Sequence, residues 1–294
     1  MKKSIFKASF EESLDLLDDG FLQYQKKDYY NKLGKAFKKG RPSFWFGIKT
    51  FILSLLFPIG LNFMILVVAM SLHDSDPKDL RLPISQHPLL TVEVYLICLL
   101  IWLLLVLMGK LFKRTFILPY RYRFHIITFT IWFMFEFNLL AITITLPILT
   151  TWGILVFFGL LVFLAYVMLR TELRSLKKRM YGEVKLPTLQ DKIAKGIAIY
   201  GAGILGLAVI VNYIFKAFSI SFSHSVTVFG LFICWILLNI GLIAMLIFME
   251  FPYFLYAYYK WKYPEEYREW EGKTVEEWYG KKYLKKHKEL LQNR

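Results

Sequence analysis

Apolar residues fall in runs of roughly twenty or more with few or no charges, and the charged residues gather between those runs and at both ends. A helix needs about 20 consecutive apolar residues to cross the ~30 Å hydrocarbon core of a bilayer. A soluble core would interleave polar and apolar positions at helical or strand period instead. The pattern therefore predicts an all-α, polytopic membrane protein with six transmembrane helices, at about 44–72, 88–109, 124–148, 151–169, 196–218 and 226–256. Together these make a membrane domain over 44–256, with an N-terminal segment at 1–43 and a tail at 257–294.

Local chemistry refines the pattern. Pro58, Gly60 and Asn62 interrupt the first run and predict a kink or a tilt there. The third and fourth runs meet at LPILTTWG, which is short enough only for a tight hairpin, and the sixth is expected to continue as a helix through FPYFLYAYYKW. In the N-terminal segment Phe6, Phe10, Leu14, Leu17 and Phe21 recur at three- and four-residue spacing, one face of an amphipathic helix that Asp18, Asp19 and Gly20 should end. The basic stretch that follows, YYNKLGKAFKKGRP, reads as the positive flank of the first span. In the tail, Pro264 should open one short helix and Gly272 stop it. Thr274 and Glu277 form a capping-box pattern opening a second, basic helix to about Leu291. Trp270, Trp278, Tyr279 and Tyr283 would anchor that tail on the membrane face or on a partner subunit. Trp45, Trp152, Tyr253 and Tyr259 suit the interfacial aromatic belts.

Charge orients the spans. Ten Lys and Arg precede the first span; the successive connections carry two, five, none, eight and one; and ten more follow from Lys260. High and low alternate as the positive-inside rule requires for an even number of crossings, so both termini are expected in the cytoplasm. The formal net charge of +15 thus finds its partner in anionic lipid at the cytoplasmic face. No nucleic-acid-binding motif accompanies it, so no nucleic acid is expected. Cys98 and Cys234 both lie inside apolar runs, which speaks against a disulfide framework. Charges interrupt the opening MKKSIFKASFEESLD before any apolar stretch forms, so the first span is expected to serve as an uncleaved anchor. The Lys-, Ile-, Phe- and Tyr-rich usage points to a low-GC bacterium and hence to a bacterial cell membrane.

Few residues carry candidate chemistry. Gly201-Ala202-Gly203-Ile204-Leu205-Gly206 matches G-x-G-x-x-G, but the chain stays apolar beyond it, with Lys216 and His224 alone interrupting before Glu250. A dinucleotide site needs an acidic residue about 20 positions on. Ala194, Ala198, Ala202 and Gly206 stand four apart and read instead as a small-residue ridge for helix packing. Glu136, about twelve residues into the third span, sits near mid-bilayer, where a carboxylate is costly and marks a functional candidate. Thr143, seven residues on, shares its face; Asn138 points almost oppositely, with Thr145, so both stripes are sheltered only if this span is central. Asn239, midway along the sixth span, is the cross-helix partner that depth suggests, whereas Glu93 and Glu250 lie near span ends and are expected to meet water.

His73, Asp74, Asp76, Asp79 and His87 lack any recognised metal spacing, and no metal or cofactor is expected. The core residues of metalloproteases, serine hydrolases and P-loop ATPases are missing. What remains is a non-catalytic interaction, assembly or immunity-type factor acting through helix contacts, or alternatively a small transporter or transporter subunit with Glu136 on a proton or substrate path.

Overall fold

Hydrocarbon offers a backbone no water to bond, so an apolar run that crosses it must satisfy its own N–H and C=O groups, and a helix does so residue by residue. A computed structural model describes residues 3–29, 44–76, 84–109, 111, 114–182 and 224–292, and every long element among them is a helix. Four helices are long and apolar enough to cross a membrane: Phe44–Asp74, Val92–Gly109, Thr115–Tyr181 and Phe229–Lys262. The predicted fifth span and its ridge of Ala194, Ala198, Ala202 and Gly206 lie outside the described residues.

The third of these helices is folded on itself. A straight helix from Leu118 to Tyr181 would run for about 96 Å. Yet Tyr120 near its start and Leu176 and Met180 near its end belong to one buried cluster. The fold lies at Thr150, whose φ of 58° and ψ of 169° break the helical path where the hairpin was expected. Pro147 prepares the break. It has no N–H to give the Thr143 carbonyl, and that carbonyl accepts from the Ser85 amide at 3.0 Å instead. The limb from 118 to 149 meets the first and second long helices through Trp132 and the last through Asn138, so it is central among the described helices.

Two other helices deviate from α geometry next to prolines. The first widens to a π-helix over Leu55–Leu61 around Pro58, at the predicted kink. The last does so over Met245–Glu250, directly before Pro252, and then continues to Lys262. Outward faces carry large apolar side chains such as Phe57, Met64, Leu100 and Leu104, as a lipid-facing surface requires. Trp45 and Trp152 are exposed at span ends, but Tyr253 and Tyr259 are buried in protein, not placed in a belt.

That protein is a cap built from both chain ends. Ile5, Ala8, Leu16 and Leu22 pack with Tyr253, Tyr256, Tyr259, Tyr267, Trp278 and Tyr279, and with Phe116, Tyr120, Leu176 and Met180 from the ends of the folded helix. The expected N-terminal helix is a short α-helix, Phe10–Leu14, continued by a 3₁₀ turn that ends at Asp18, and a second helix, Gly20–Tyr29, follows it. Asp19 separates them and caps the second, accepting from the Leu22 amide at 3.2 Å. Phe10, Leu14 and Leu17 of the predicted stripe pack against the cap core, with Leu16 buried beside them, whereas Phe6 stays exposed.

In the tail, Pro264–Trp270 and the Thr274–Glu277 capping box form at the predicted sites. The predicted basic helix stops early, at Tyr279, because Gly280 takes φ 85° and ψ 143°. Only glycine adopts that region without strain, and a Cβ there would overlap the Thr115 hydroxyl. Gly280→Ala should therefore lower stability by about 1–3 kcal/mol. Gly159→Ala, on an open helical surface, should be neutral or slightly stabilising. Thermal unfolding of both variants in one detergent checks the contrast.

Candidate functional site

The central limb presents two stripes of polar groups, and the fold keeps them apart. On the first, Trp132 donates its indole N–H to Glu136 Oε1 at 2.6 Å, one turn along the same helix. The Trp132 ring touches Tyr95 and Trp102 of the second long helix, each at a centroid distance of 5.8 Å. The Tyr95 hydroxyl reaches the Ile59 carbonyl of the first helix at 3.4 Å. One turn on from Ile59, Asn62 is wholly buried and donates to the Pro58 carbonyl at 2.6 Å. Glu136 is also wholly buried. Among the described residues, Glu136 Oε2, Asn62 Oδ1 and Trp102 Nε1 have no hydrogen-bond partner. Buried polar atoms of that kind are rare in native proteins and each calls for a reason.

Thr143 shares the face of Glu136 but not its site. Its hydroxyl donates to the Leu139 carbonyl at 2.9 Å and accepts from the Leu89 amide at 3.2 Å. With Ser85 on its carbonyl, Thr143 pins the segment before the second helix to the centre of the bundle.

On the opposite stripe Asn138 meets Asn239 in a reciprocal pair, each amide donating to the other's oxygen at 3.1 and 2.9 Å. The Trp235 indole adds a third bond, donating to Asn138 Oδ1 at 2.5 Å. The second amide protons return to their own helices, at Met134 and Trp235 carbonyls. All four amide-group functions are thus satisfied, as a half-buried polar pair in lipid requires. The four sequence candidates accordingly divide into three places: Glu136 with the first two helices, Thr143 at the far loop, and Asn138 with Asn239.

Sequence reasoning missed a further constellation, where the bundle meets the cap. Arg123 holds the Glu250 carboxylate through both its Nε and Nη2 groups, and Gln25 approaches the same oxygen at 3.4 Å. Glu250 was expected to meet water and is instead buried. A signal was present: Arg123 directly precedes the third predicted span and Glu250 lies six residues before the end of the sixth, so opposite charges stand near the same membrane face. Arg179 of the other limb donates through Nη1 to Asp19 Oδ2.

Within the cap, tyrosine hydroxyls and a lysine grip the chain start. Tyr181, Tyr258 and Tyr263 donate to the Ser4, Phe6 and Ala8 carbonyls at 2.7, 3.3 and 2.8 Å. Tyr259 donates to the Ile5 carbonyl and accepts from the Ala8 amide. Lys26 and Lys260 share Glu271 and both lie over the Tyr256 ring, at 5.1 Å each. Burial pushes the Lys26 ammonium below the usual lysine range, and Glu271 opposes that shift. A surface cleft lined by Glu265, Arg268, Glu269 and Lys273 mixes both signs of charge, and Arg268 is already taken by Glu265 and Glu269. Trp278 and Tyr279, expected as outward anchors, are spent inside this cap, while Trp270 remains exposed.

No family model, curated protein or solved structure matches the chain. The reading of function therefore rests on the geometry alone.

The Arg123–Glu250 pair supports a quantitative expectation. Removing one partner of a buried ion pair leaves an uncompensated charge and costs about 3–5 kcal/mol, whereas replacing both by apolar groups is often near neutral. Arg123→Met should sharply lower the unfolding midpoint, and the double variant Arg123→Met/Glu250→Leu should recover most of the loss. Equal losses in the single and double variants would assign the pair no such role.

Proposed function

We propose that this chain is a six-span protein of the bacterial cytoplasmic membrane, with both termini cytoplasmic, that acts without catalysis as an interaction, assembly or immunity-type factor through helix contacts. The observation that carries this reading is the closure of the membrane-depth polar groups. Asn138 and Asn239 satisfy each other, and Glu136 is sealed behind Trp132, Tyr95 and Trp102, so neither stripe lines a wet route among the described residues. A carrier exposes its binding groups to water in at least one state. A scaffold has no such need.

The topology rests on two supports. The basic N-terminal segment, the start and end of the folded helix, and the tail all contribute to one cap. This is the arrangement the positive-inside count expects, with the cap in the cytoplasm. Tyr181 lies at the cap end, and the last helix starts from the far end and runs back to the cap. A further crossing between them, by the apolar run 196–218, is the sixth span that the proposal counts.

Anionic lipids are the partner at the basic face, and a second membrane protein or a second copy of the chain is the partner for the ridge of Ala194, Ala198, Ala202 and Gly206. A second reading, a small transporter or transporter subunit, is favoured by one observation: Glu136 Oε2 has no partner among the described residues. Deleting 264–294 would not separate the two, because it removes Tyr267, Trp278 and Tyr279 from the cap core.

Two experiments test the proposal. In a Cys98→Ser/Cys234→Ser background, an impermeant thiol reagent applied to intact cells should label Ser75→Cys, and should label Lys273→Cys only after permeabilisation; the reverse order would overturn the topology. Affinity purification from native membranes in mild detergent should recover a stoichiometric partner that Ala202→Leu or Gly206→Leu releases. A homogeneous chain with no partner, together with flux abolished by Glu136→Gln, would replace this reading with the transporter.

A further inference from the structure

Arg114 lies between Gly109, the last residue of the second long helix, and the turn Thr115–Ile117 that opens the central limb. Its guanidinium is clamped by the rings of Tyr283, Trp261 and Tyr279, whose centroids lie 5.2, 5.7 and 5.9 Å from the guanidinium carbon. Its Nε donates to the Tyr283 hydroxyl at 3.2 Å. The clamp is itself fixed. Tyr279 donates to Glu265 at 2.6 Å and stacks on Tyr283, which stacks on His287. An arginine held in this way loses little rotamer freedom when it meets a ligand.

The clamp spends the Nε donor and leaves Nη1 and Nη2. Among the described residues no acceptor meets those groups and no ion pair includes Arg114, which is only partly buried. The nearby carboxylates are engaged elsewhere. Glu265 takes the Tyr279 hydroxyl and Arg268, Glu276 pairs with Lys281, and Glu289 meets His287. Lys282, Lys285 and Lys286, beside Tyr283 in the chain, are exposed and in no ion pair among the described residues. The surroundings are therefore net positive, and a fork of two N–H₂ groups matches the oxygens of a phosphate.

Position decides which phosphate. Leu111 closes the second span, its amide on the Met108 carbonyl, and is 73% exposed. Three residues reach at most ~11 Å, which keeps Arg114 within side-chain range of a headgroup layer about 5–7 Å thick. Trp261, one wall of the clamp, is exposed as well. An apolar side chain and an indole beside a cation suit the boundary between lipid and water. We propose that Arg114 is a preorganised receptor for the phosphate of an anionic phospholipid, bound by the Nη1 and Nη2 fork, with Leu111 and Trp261 flanking the lipid below it. A zwitterionic lipid would bring its ammonium group among the lysines, so the site favours lipids of net negative charge. The inference rests on the reading that anionic lipid is the partner at the basic face, and gives that partner one address. Because Tyr279 and Tyr283 belong to the tail, a lipid held there also fastens the tail to the edge of the bundle.

The test is native mass spectrometry of the full-length protein in detergent, titrated with phosphatidylglycerol and separately with phosphatidylcholine. Phosphatidylglycerol should bind about tenfold more tightly, and Arg114→Gln should remove that preference. Arg114→Lys keeps the charge without the fork and should not restore it. Tyr283→Phe keeps the ring but frees Nε from its anchor, and should weaken binding by about threefold even if Arg114→Gln fails to fold. Lys285→Gln removes one charge outside the clamp and should cost about twofold or less. Equal affinity for the two lipids, full rescue by Arg114→Lys, no effect of Tyr283→Phe, or equal losses for Arg114→Gln and Lys285→Gln would each overturn the proposal. Displacement of the lipid by inorganic phosphate would assign the fork to a soluble phosphate and overturn the lipid source. Detergent exposes both faces of the protein, so this binding is read independently of the thiol-labelling order. A reversed labelling order would sink the topology and leave the lipid affinities standing, and unchanged affinities in the variants would sink the receptor and leave the topology standing.

Discussion

Inside a bilayer a polar group has no water to fall back on, and every hydrogen-bonding group at that depth must find its partner within the protein. Much of this structure follows from that constraint acting on two prolines and a handful of polar side chains. Pro147 leaves the Thr143 carbonyl free, and the segment before the second helix is drawn in to bond it. Pro58 sits in a π-helical turn, and the Asn62 amide folds back onto its carbonyl. Asn138, which would be stranded on a lipid-facing helix, is met by Asn239 and Trp235. These requirements suit a central place for the limb from 118 to 149, which carries polar groups on opposite faces.

The cap obeys a different balance. Water is available there, so burial of apolar area again drives association, and aromatic rings supply large areas with few rotatable bonds. Tyr256, Tyr259 and Tyr267 are fully buried. Their hydroxyls still need partners: Tyr259 bonds the Ile5 carbonyl and Tyr267 bonds Ser13 at 2.8 Å. The two chain ends therefore specify each other. Cap and bundle are joined by Arg123 with Glu250 and by Asp19 with Arg179, and by the last helix itself, which runs from the membrane into the cap.

The functional reading joins these two halves. A membrane domain whose polar groups are closed, attached to a rigid basic platform, suits a protein whose output is contact with other proteins and with lipid.

How much of this was legible in one dimension differs by the physics involved. The membrane class, the positions of the described apolar helices, the hairpin near residue 150 and the Thr274–Glu277 cap depend on local composition and spacing, and the chain displays them directly. The two-stripe geometry of the third span follows from 100° per residue and needs no fold. What the sequence did not determine is who faces whom. Depth pointed to Asn239 as a cross-helix partner without saying which stripe it meets, while Arg123 and Glu250 stand 127 residues apart and Ser13 and Tyr267 254. An isolated pattern cannot tell a tyrosine that meets lipid headgroups from one that closes on the chain start, because both are aromatic residues at a span end. That choice was made when the two termini came to the same side of the bundle and each offered the other a partner for groups neither could satisfy alone.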